Sequence, residues 1–224
     1  MLTQITQKTE IQKQGISHQD IRVIPNGILG EFLNRHGNDA AKDGKVIVCF
    51  GVFYPIKGQD LLIRAFKAAN CSKDHLLVFV GGPDGLFKSI CRSLAIQLGL
   101  EKKILFLDHM SHEHLIPLLL ECEFCVFPSR LETFNIAVFE AMALGKAVIA
   151  TNKGGPVEYI RNQWDGILVN PENISELATA IDFLVSNFSV RTNIGKRARV
   201  RAQEFKWDHI AKRYLSLYQR LCKE

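Results

Sequence analysis

Short apolar runs rich in β-branched residues alternate along the chain with longer segments in which apolar residues recur at helical spacing. The runs predict six buried parallel strands, at residues 46–52, 76–81, 104–107, 124–128, 147–150 and 166–169. The segments between them predict helices at residues 59–69, 86–98, 111–120, 136–144 and 175–185. A strand followed by a helix, repeated, is typical of an α/β protein with a doubly wound, Rossmann-like parallel sheet.

The two ends of the chain differ from this alternating pattern. Residues 1–23 are mostly polar and are predicted to be a lead-in segment rather than a domain. After the last strand come two further helical stretches. The second begins at Trp207 and is amphipathic, with apolar residues at helical spacing: Ile210, Tyr214, Leu217, Tyr218 and Leu221. Such a stripe needs a surface to pack on.

Length and composition narrow the class of protein. With 224 residues, 47% apolar and 23% charged, we expect one globular domain with appendages. No apolar run approaches the roughly 20 residues that cross a bilayer, and the N-terminus lacks the features of a secretory signal. A cytoplasmic location and reduced, mostly buried cysteines are therefore expected. Cys122 and Cys125 form a CxxC without a second pair, so no metal site is predicted.

The charge of the chain is mildly positive. A net charge of +5 is small for a nucleic-acid-binding protein, so no nucleic-acid partner is expected. The densest basic stretch contains Arg191, Lys196, Arg197, Arg199 and Arg201. Helical spacing favours a solvated basic face, and peripheral contact with an anionic membrane is the functional alternative.

Candidate chemistry lies in the loops that follow the strands, because ligands of open α/β sheets bind at the carboxyl ends of the strands. Lys57 follows the first strand at the predicted start of a helix, where an ammonium and the helix N–H groups suit a phosphate. Glycines in the loop at 81–85 and in the region 152–158 fit either tight turns or a ligand-binding wall.

The most informative region surrounds Glu132 and Glu140, which stand eight residues apart. The first precedes a predicted helix and the second lies about one turn inside it, so both can face a ligand above the helix N-terminus. Carboxylates accept hydrogen bonds from sugar and ribose hydroxyls, and the free N–H groups at residues 134–136 suit a phosphate. The alternative is that both glutamates only complement the helix dipole.

The passage at 128–145 resembles the EX7E signature of the retaining glycosyltransferase family 4 enzymes, which have the GT-B fold. Further motifs of that family occur before and after this passage, in the same order along the chain. They are Ile24-Pro25-Asn26-Gly27, Lys57-Gly58, Gly81-Gly82-Pro83-Asp84-Gly85, Gly154-Gly155-Pro156-Val157-Glu158 and Asp165-Gly166-Ile167-Leu168-Val169. The resemblance implies the C-terminal half of such an enzyme. Residues 24–205 would be a nucleotide-sugar donor-binding domain, and residues 206–224 a helix that packs on an N-terminal acceptor domain outside this chain.

The resemblance also implies roles for individual residues. Glu140 would hold the ribose hydroxyls of the donor, and Glu132 the hydroxyls of the transferred sugar. Lys57 would neutralise the diphosphate, which makes Lys57 and Glu132 the catalytic candidates. The remaining donor-binding candidates are Thr133 and the segment that caps the diphosphate: Phe134, Asn135 and Ile136. The implied partners are a nucleotide-diphosphate sugar, a glycan or lipid-linked acceptor, and a partner chain carrying the N-terminal domain. No metal or other cofactor is implied.

Three positions depart from the family pattern. Val52 follows Gly51 where the family often has an arginine that binds the diphosphate. One of the two cationic side chains that would contact the phosphates is therefore missing. Asn135 and the segment 108–110 stand where the family usually has glycine, and asparagine tolerates left-handed backbone conformations. Two alternatives therefore stay open: a non-catalytic nucleotide-sugar-binding or partner subunit of a split glycosyltransferase, and a related sugar-nucleotide epimerase of GT-B fold.

Overall fold

A single parallel sheet organises the protein. The computed structural model describes residues 11–15, 21–35, 44–82 and 84–222, so most of the predicted lead-in and Pro83 lie outside the described residues. The strands are β1 (Val46–Phe50), β2 (Leu76–Val80), β3 (Ile104–Leu107), β4 (Phe124–Phe127), β5 (Ala147–Thr151) and β6 (Ile167–Val169). All are paired in parallel in the order β3-β2-β1-β4-β5-β6. This is the doubly wound order, with its switch point between β1 and β4, and the predicted fold class is confirmed.

Helices cover both faces of the sheet. They are α1 (Gly30–Leu33), α2 (Gln59–Ala68), α3 (Leu86–Gln97), α4 (His112–Glu121), α5 (Ile136–Ala143), α6 (Ile174–Ser186), α7 (Phe188–Gln203) and α8 (Trp207–Leu221). Short 3₁₀ turns occur at Pro55–Lys57, Asn70–Lys73 and Gly155–Glu158. Apolar residues of α2, α3 and α6 bury one face, and those of α1, α4 and α5 bury the other.

The strands are almost wholly apolar because both of their faces are covered. In β1, Ile47 and Cys49 point into one core cluster, and Val48 and Phe50 point into the other. Strand alternation therefore divides the core into two layers, one on each side of the sheet. Polar chemistry is left to the loops at the strand ends. Five of the six cysteines are buried and all six are free thiols, as predicted.

Helix α8 differs in detail from the predicted stripe. Ile210 is only 1% exposed, so this residue packs within the domain. The exposed apolar residues of the helix are Trp207, Tyr214, Leu215, Tyr218 and Leu221, and Leu217 of the predicted stripe is partly buried. The prediction of an amphipathic helix is confirmed, but Ile210 is not part of its open surface.

The basic stretch of α7 is largely committed to contacts within the chain. Arg191 is 4% exposed and donates to the Leu184 carbonyl at 2.8 Å. Arg199 donates to the Leu33 carbonyl and Arg201 to the Tyr159 carbonyl. Guanidinium groups have several donors and here satisfy carbonyls of neighbouring segments. The predicted solvated basic face is therefore wrong for these three residues. Within the described ranges, no helix has the length and apolarity to cross a membrane.

Candidate active site

A cleft with two adjoining cavities lies at the carboxyl ends of β1 and β4, where the sheet topology predicts a ligand. The Lys57 cavity has a volume of about 280 Å³ and is lined by Asn26, Lys57, Gln59, Ser129, Glu132 and residues 133–137, among others. The Glu140 cavity has a volume of about 480 Å³, and its lining includes Gly82, His109, Met110, His112 and Glu140. Both cavities share the wall formed by residues 50–52 and Ala137.

Lys57 and Glu132 form an ion pair in the first cavity. The Lys57 Nζ lies 2.5 Å from Glu132 Oε2, with the lysine side chain 28% exposed and the glutamate residue 5% exposed. The Ser129 hydroxyl also donates to Oε2 at 3.2 Å, and the Thr133 N–H donates to Oε1 at 3.1 Å. An ammonium has three donors, so Lys57 keeps donors for a second acceptor. The arrangement places a cation beside a fixed carboxylate acceptor.

Lys57 reaches this place from a 3₁₀ turn rather than from the start of a helix. The turn Pro55–Lys57 ends at Gly58, whose φ of 71° lies in the left-handed region. A Cβ at Gly58 would meet the Pro128 carbonyl oxygen at 2.1 Å, so this backbone approach requires glycine. The structure therefore places Lys57 in a turn two residues before the helix, rather than at the helix start, and brings it beside Glu132.

A second ion pair fixes the same turn to the loop after β4. The Arg130 guanidinium binds Asp60 through two hydrogen bonds, of 2.9 Å and 2.6 Å, and also donates to the Pro55 carbonyl. The Arg130 N–H donates to the Ile56 carbonyl at 2.8 Å. Bidentate arginine–carboxylate pairs constrain both position and orientation. Arg130 and Asp60 thus hold the lysine turn against the segment that carries Glu132.

The glycine-rich region at 152–158 supports Glu132 from behind. Gly154 pairs with Glu132 as an isolated parallel bridge, and the Gly155 N–H donates to the Glu132 carbonyl at 2.8 Å. A Cβ at Gly154 would lie 2.0 Å from the Glu132 carbonyl oxygen, and one at Gly155 would lie 2.1 Å from that of Thr133. Neither glycine lines either cavity described above. This region is a structural support of the site.

The N-terminus of α5 opens into the Lys57 cavity. Asn135, the N-cap residue, has a φ of 68°, which confirms that asparagine accepts the left-handed conformation here. Phe134 is buried and stacks on Phe139 at 4.8 Å, while its carbonyl accepts the Tyr159 hydroxyl at 2.6 Å. The Phe134 side chain is therefore turned away from the cavity, and its backbone is left to face a ligand. The first N–H groups of a helix have no intrahelical acceptor and suit an anion.

Glu140 lines the second cavity from within α5, about one turn after the N-terminus. Burial raises the pKa of Glu140, the nearby charge of Glu31 raises it further, and that of His112 lowers it. His112 in turn forms a short contact with Glu31. The two predicted glutamates therefore lie on two parts of one cleft, Glu132 beside Lys57 and Glu140 beside His112. Neither is a simple surface complement of the helix dipole.

Glu140→Gln is expected to stabilise the folded protein at neutral pH. A carboxyl whose pKa is raised by folding destabilises the fold when ionised, and this cost grows as pH rises from the ordinary value of 4.5. We expect the melting temperature at pH 7 to increase by roughly 1–3 °C. The difference should vanish below pH 4.5, where the carboxyl is neutral in both states. Thermal unfolding at several pH values, with exposed Glu101→Gln as control, measures this; an unchanged or lower melting temperature at pH 7 would contradict it.

Several residues of the cleft were not singled out from the sequence. Ser129 and Gln59 line the Lys57 cavity, and His112 lines the Glu140 cavity. The Gln59 amide donates to the Val52 carbonyl at 2.9 Å and holds the shared wall. Val52 itself is 45% exposed on that wall, at the predicted position of the missing cation. Ser129 follows β4 and Gln59 begins α2, and neither position by itself indicates a binding residue.

Comparison with known proteins identifies the family and the fold of the chain. A profile described as glycosyl transferases group 1 matches residues 32–201. An uncharacterised glycosyltransferase of Methanocaldococcus jannaschii is 32% identical over 178 residues, covering 79% of this chain and 45% of that protein. The D-inositol 3-phosphate glycosyltransferase of Jonesia denitrificans is 29% identical over 186 residues, covering 80% and 44%. The crystal structure of Anabaena HepE with UDP-glucose has a TM-score of 0.85 at 22% identity, covering 98% of this chain and 63% of HepE.

The chain spans about half the length of the curated relatives that it matches. Its likeness to HepE confirms the predicted Rossmann-like half of a GT-B fold. The family match covers about three quarters of the 224 residues and includes both Lys57 and the segment from Glu132 to Glu140. The chain therefore belongs to the group 1 glycosyl transferases.

Proposed function

We propose that this chain is the donor-binding domain of a retaining glycosyltransferase that transfers a hexose-type sugar from a nucleotide-diphosphate sugar. The observation that carries the proposal is the juxtaposition of Lys57, Glu132 and the N-terminus of α5 around one cavity. A cation, a carboxylate and free backbone N–H groups are the groups that a sugar joined to a diphosphate requires. Family membership supports the class of reaction.

In this proposal, the diphosphate binds between the Lys57 ammonium and the N–H groups at 134–136. Positive charge held at this place stabilises the nucleoside diphosphate as its bond to the sugar breaks. The chain supplies that charge from its own groups, so we propose no metal or other cofactor. Glu132 accepts hydrogen bonds from the transferred sugar, and Thr133 lines the same cavity. Attack on the face that the leaving group vacates would retain the anomeric configuration.

The nucleoside occupies the Glu140 cavity in this proposal. A carboxylate accepts hydrogen bonds from two neighbouring ribose hydroxyls, and the cavity of about 480 Å³ adjoins the diphosphate position through the wall at 50–52. HepE, which has the same fold, was crystallised with UDP and with UDP-glucose. Those ligands support a nucleoside diphosphate sugar as the class of donor for this chain.

The acceptor is proposed to bind mainly outside this chain. The curated relatives are about twice as long as the matched region, and the exposed side of α8 offers Tyr214, Tyr218 and Leu221 to another domain or chain. A glycan or lipid-linked acceptor would then approach Glu132 across the cleft. Exposed aromatic and aliphatic stripes of this kind mark contact surfaces.

A second candidate is a module that binds nucleotide-sugar without catalysing transfer. The exposed Val52 on the shared wall favours this candidate, because a valine cannot supply the positive charge that would stabilise the leaving diphosphate. Binding is common to both candidates, and transfer to an acceptor distinguishes them.

Calorimetric titration with UDP, GDP and ADP, followed by the matching nucleotide-sugars, tests the proposal. We expect one nucleotide to bind, with affinity reduced at least about tenfold in Glu140→Gln and unchanged in Glu101→Gln. Activity is then assayed with an added acceptor domain of a relative, and the anomeric configuration of the product is read by NMR. Absence of binding by all three nucleotides contradicts donor binding. An inverted product contradicts the retaining mechanism, and binding without transfer favours the second candidate.

A further inference from the structure

Lys88 is a fully buried lysine beside the cleft. It lies in the first turn of α3 and is 0% exposed. Its ammonium donates to the Gly81 carbonyl at 3.1 Å, the Leu107 carbonyl at 3.2 Å and Asp108 Oδ1 at 2.7 Å. Asp84 Oδ1 lies 2.8 Å away as a further ionic partner. Burying a cation is costly unless it is fully paired, and these four oxygens satisfy Lys88.

The four partners belong to two loops that wall the Glu140 cavity and to the end of the strand before one of these loops. Gly81 follows β2, and the adjoining Gly82 lines the cavity. Leu107 ends β3, and the loop that follows contributes His109 and Met110 to the same cavity. The Gly81 N–H also donates to the Leu107 carbonyl at 3.2 Å. Lys88 therefore fixes the spacing between two walls of the cavity from behind.

Lys88 also controls charge at the rim of the cleft. The side chains of Asp84 and Asp108 are 56% and 78% exposed, and both carboxylates point to the same buried ammonium. Arg92 is a second cation for Asp84, at 3.6 Å, so loss of the Lys88 ammonium would mainly affect Asp108. It would also remove the hydrogen bonds to the Gly81 and Leu107 carbonyls, which join the two loops.

We propose that Lys88 is a positioning residue that sets the shape of the nucleoside pocket and hence the preference for one base. This inference rests on the proposed donor site. Lys88 contacts the loops rather than the ligand. Its ammonium is the cation that holds two carboxylates and two carbonyls together. The separation of Gly82 from His109 and Met110 then decides which base fits.

Lys88→Met and Asp108→Asn test this role, with exposed Lys102→Met as the matched control. Affinities for UDP, GDP and ADP are measured by calorimetry. We expect Lys88→Met to lower the affinity for the preferred nucleotide at least tenfold. We also expect it to reduce the ratio between the affinities for the best-bound and the most weakly bound nucleotide. Asp108→Asn, at a mostly exposed side chain that does not threaten folding, should change both quantities in the same direction by about two- to threefold. Lys102→Met should change neither.

Backbone hydrogen exchange at residues 81–82 and 108–110 is measured in parallel without nucleotide. We expect faster exchange in Asp108→Asn, because the tie between the loops is weakened. The inference is overturned if Asp108→Asn changes neither the ratio of affinities for the three nucleotides nor the rate of hydrogen exchange. This test does not depend on whether Lys88→Met folds. If the unaltered chain binds no nucleotide, the proposed donor site fails. The exchange measurement then still decides whether Lys88 and Asp108 hold the loops.

Discussion

Replacing Lys57 with alanine is expected to weaken nucleoside diphosphate binding about tenfold to a hundredfold. A hydrogen bond between an ammonium and a phosphate contributes about 1.5–3 kcal/mol, which corresponds to that range of affinity. The substitution also leaves Glu132, which is 5% exposed, without its cation. The remaining carboxylate would then repel the phosphates of the ligand. Isothermal titration with the nucleotide that the unaltered chain prefers measures the effect.

Lys67→Ala is the matched control, because Lys67 is exposed near the end of α2, the helix that follows the turn of Lys57. The control has the same change in net charge, so long-range electrostatics are similar in both variants. Its affinity should stay within about twofold of that of the unaltered chain. If Lys57→Ala binds as well as Lys67→Ala, the diphosphate does not lie at Lys57, and the proposed orientation of the donor is wrong.

Gly154→Ala is expected to cause a large loss of folding stability together with loss of the site. The added Cβ would lie 2.0 Å from the Glu132 carbonyl oxygen, and the φ of 98° is itself unfavourable for alanine. Backbone must therefore move where Gly154 and Glu132 pair. We expect the free energy of unfolding to fall by ~4 kcal/mol, as is typical of severe steric substitutions. Urea unfolding followed by circular dichroism measures this change.

Gly99→Ala separates the steric effect from the conformational one. Gly99 also has a positive φ, of 68°, but a Cβ there would have no atom within 4 Å. Only the cost of the left-handed conformation applies, about 1 kcal/mol. Equal losses in the two variants would show that the segment at 154 is free to move and does not support Glu132. Failure of Gly154→Ala alone to accumulate as folded protein would agree with the expected result.

Sequence patterns predict the sheet well because its strands are buried on both faces and are therefore apolar throughout. The run that begins at Val46 and the run that begins at Phe124 become neighbouring strands at the switch point. The doubly wound topology then brings the loops after β1 and β4 together. This is why Lys57 and Glu132, predicted separately, meet at one cavity.

Features that depend on contacts between distant segments were not predicted. The contact of Gly154 with Glu132 is one example. A glycine-rich sequence is the same in a structural turn and in a ligand-binding loop, so the local sequence does not distinguish the two. The basic residues of α7 are another case: helical spacing indicates a solvated face, but Arg191 and Arg199 find carbonyl acceptors on other elements. Lys88 was not recognised either, because a lysine in the first turn of a helix is ordinarily exposed.

The ion pair between Lys57 and Glu132 joins residues that are 75 positions apart in the chain. Contacts of such sequence separation raise the contact order of a fold, and folding rates fall as contact order rises. A ligand that contacts both residues therefore requires the loops after the paired strands β1 and β4 to be in place together. Its binding energy is added to the stability of the whole domain, by about 2.7 kcal/mol at a concentration one hundred times the dissociation constant. In the proposed function, a bound nucleotide-sugar would thus raise the folded fraction of the chain.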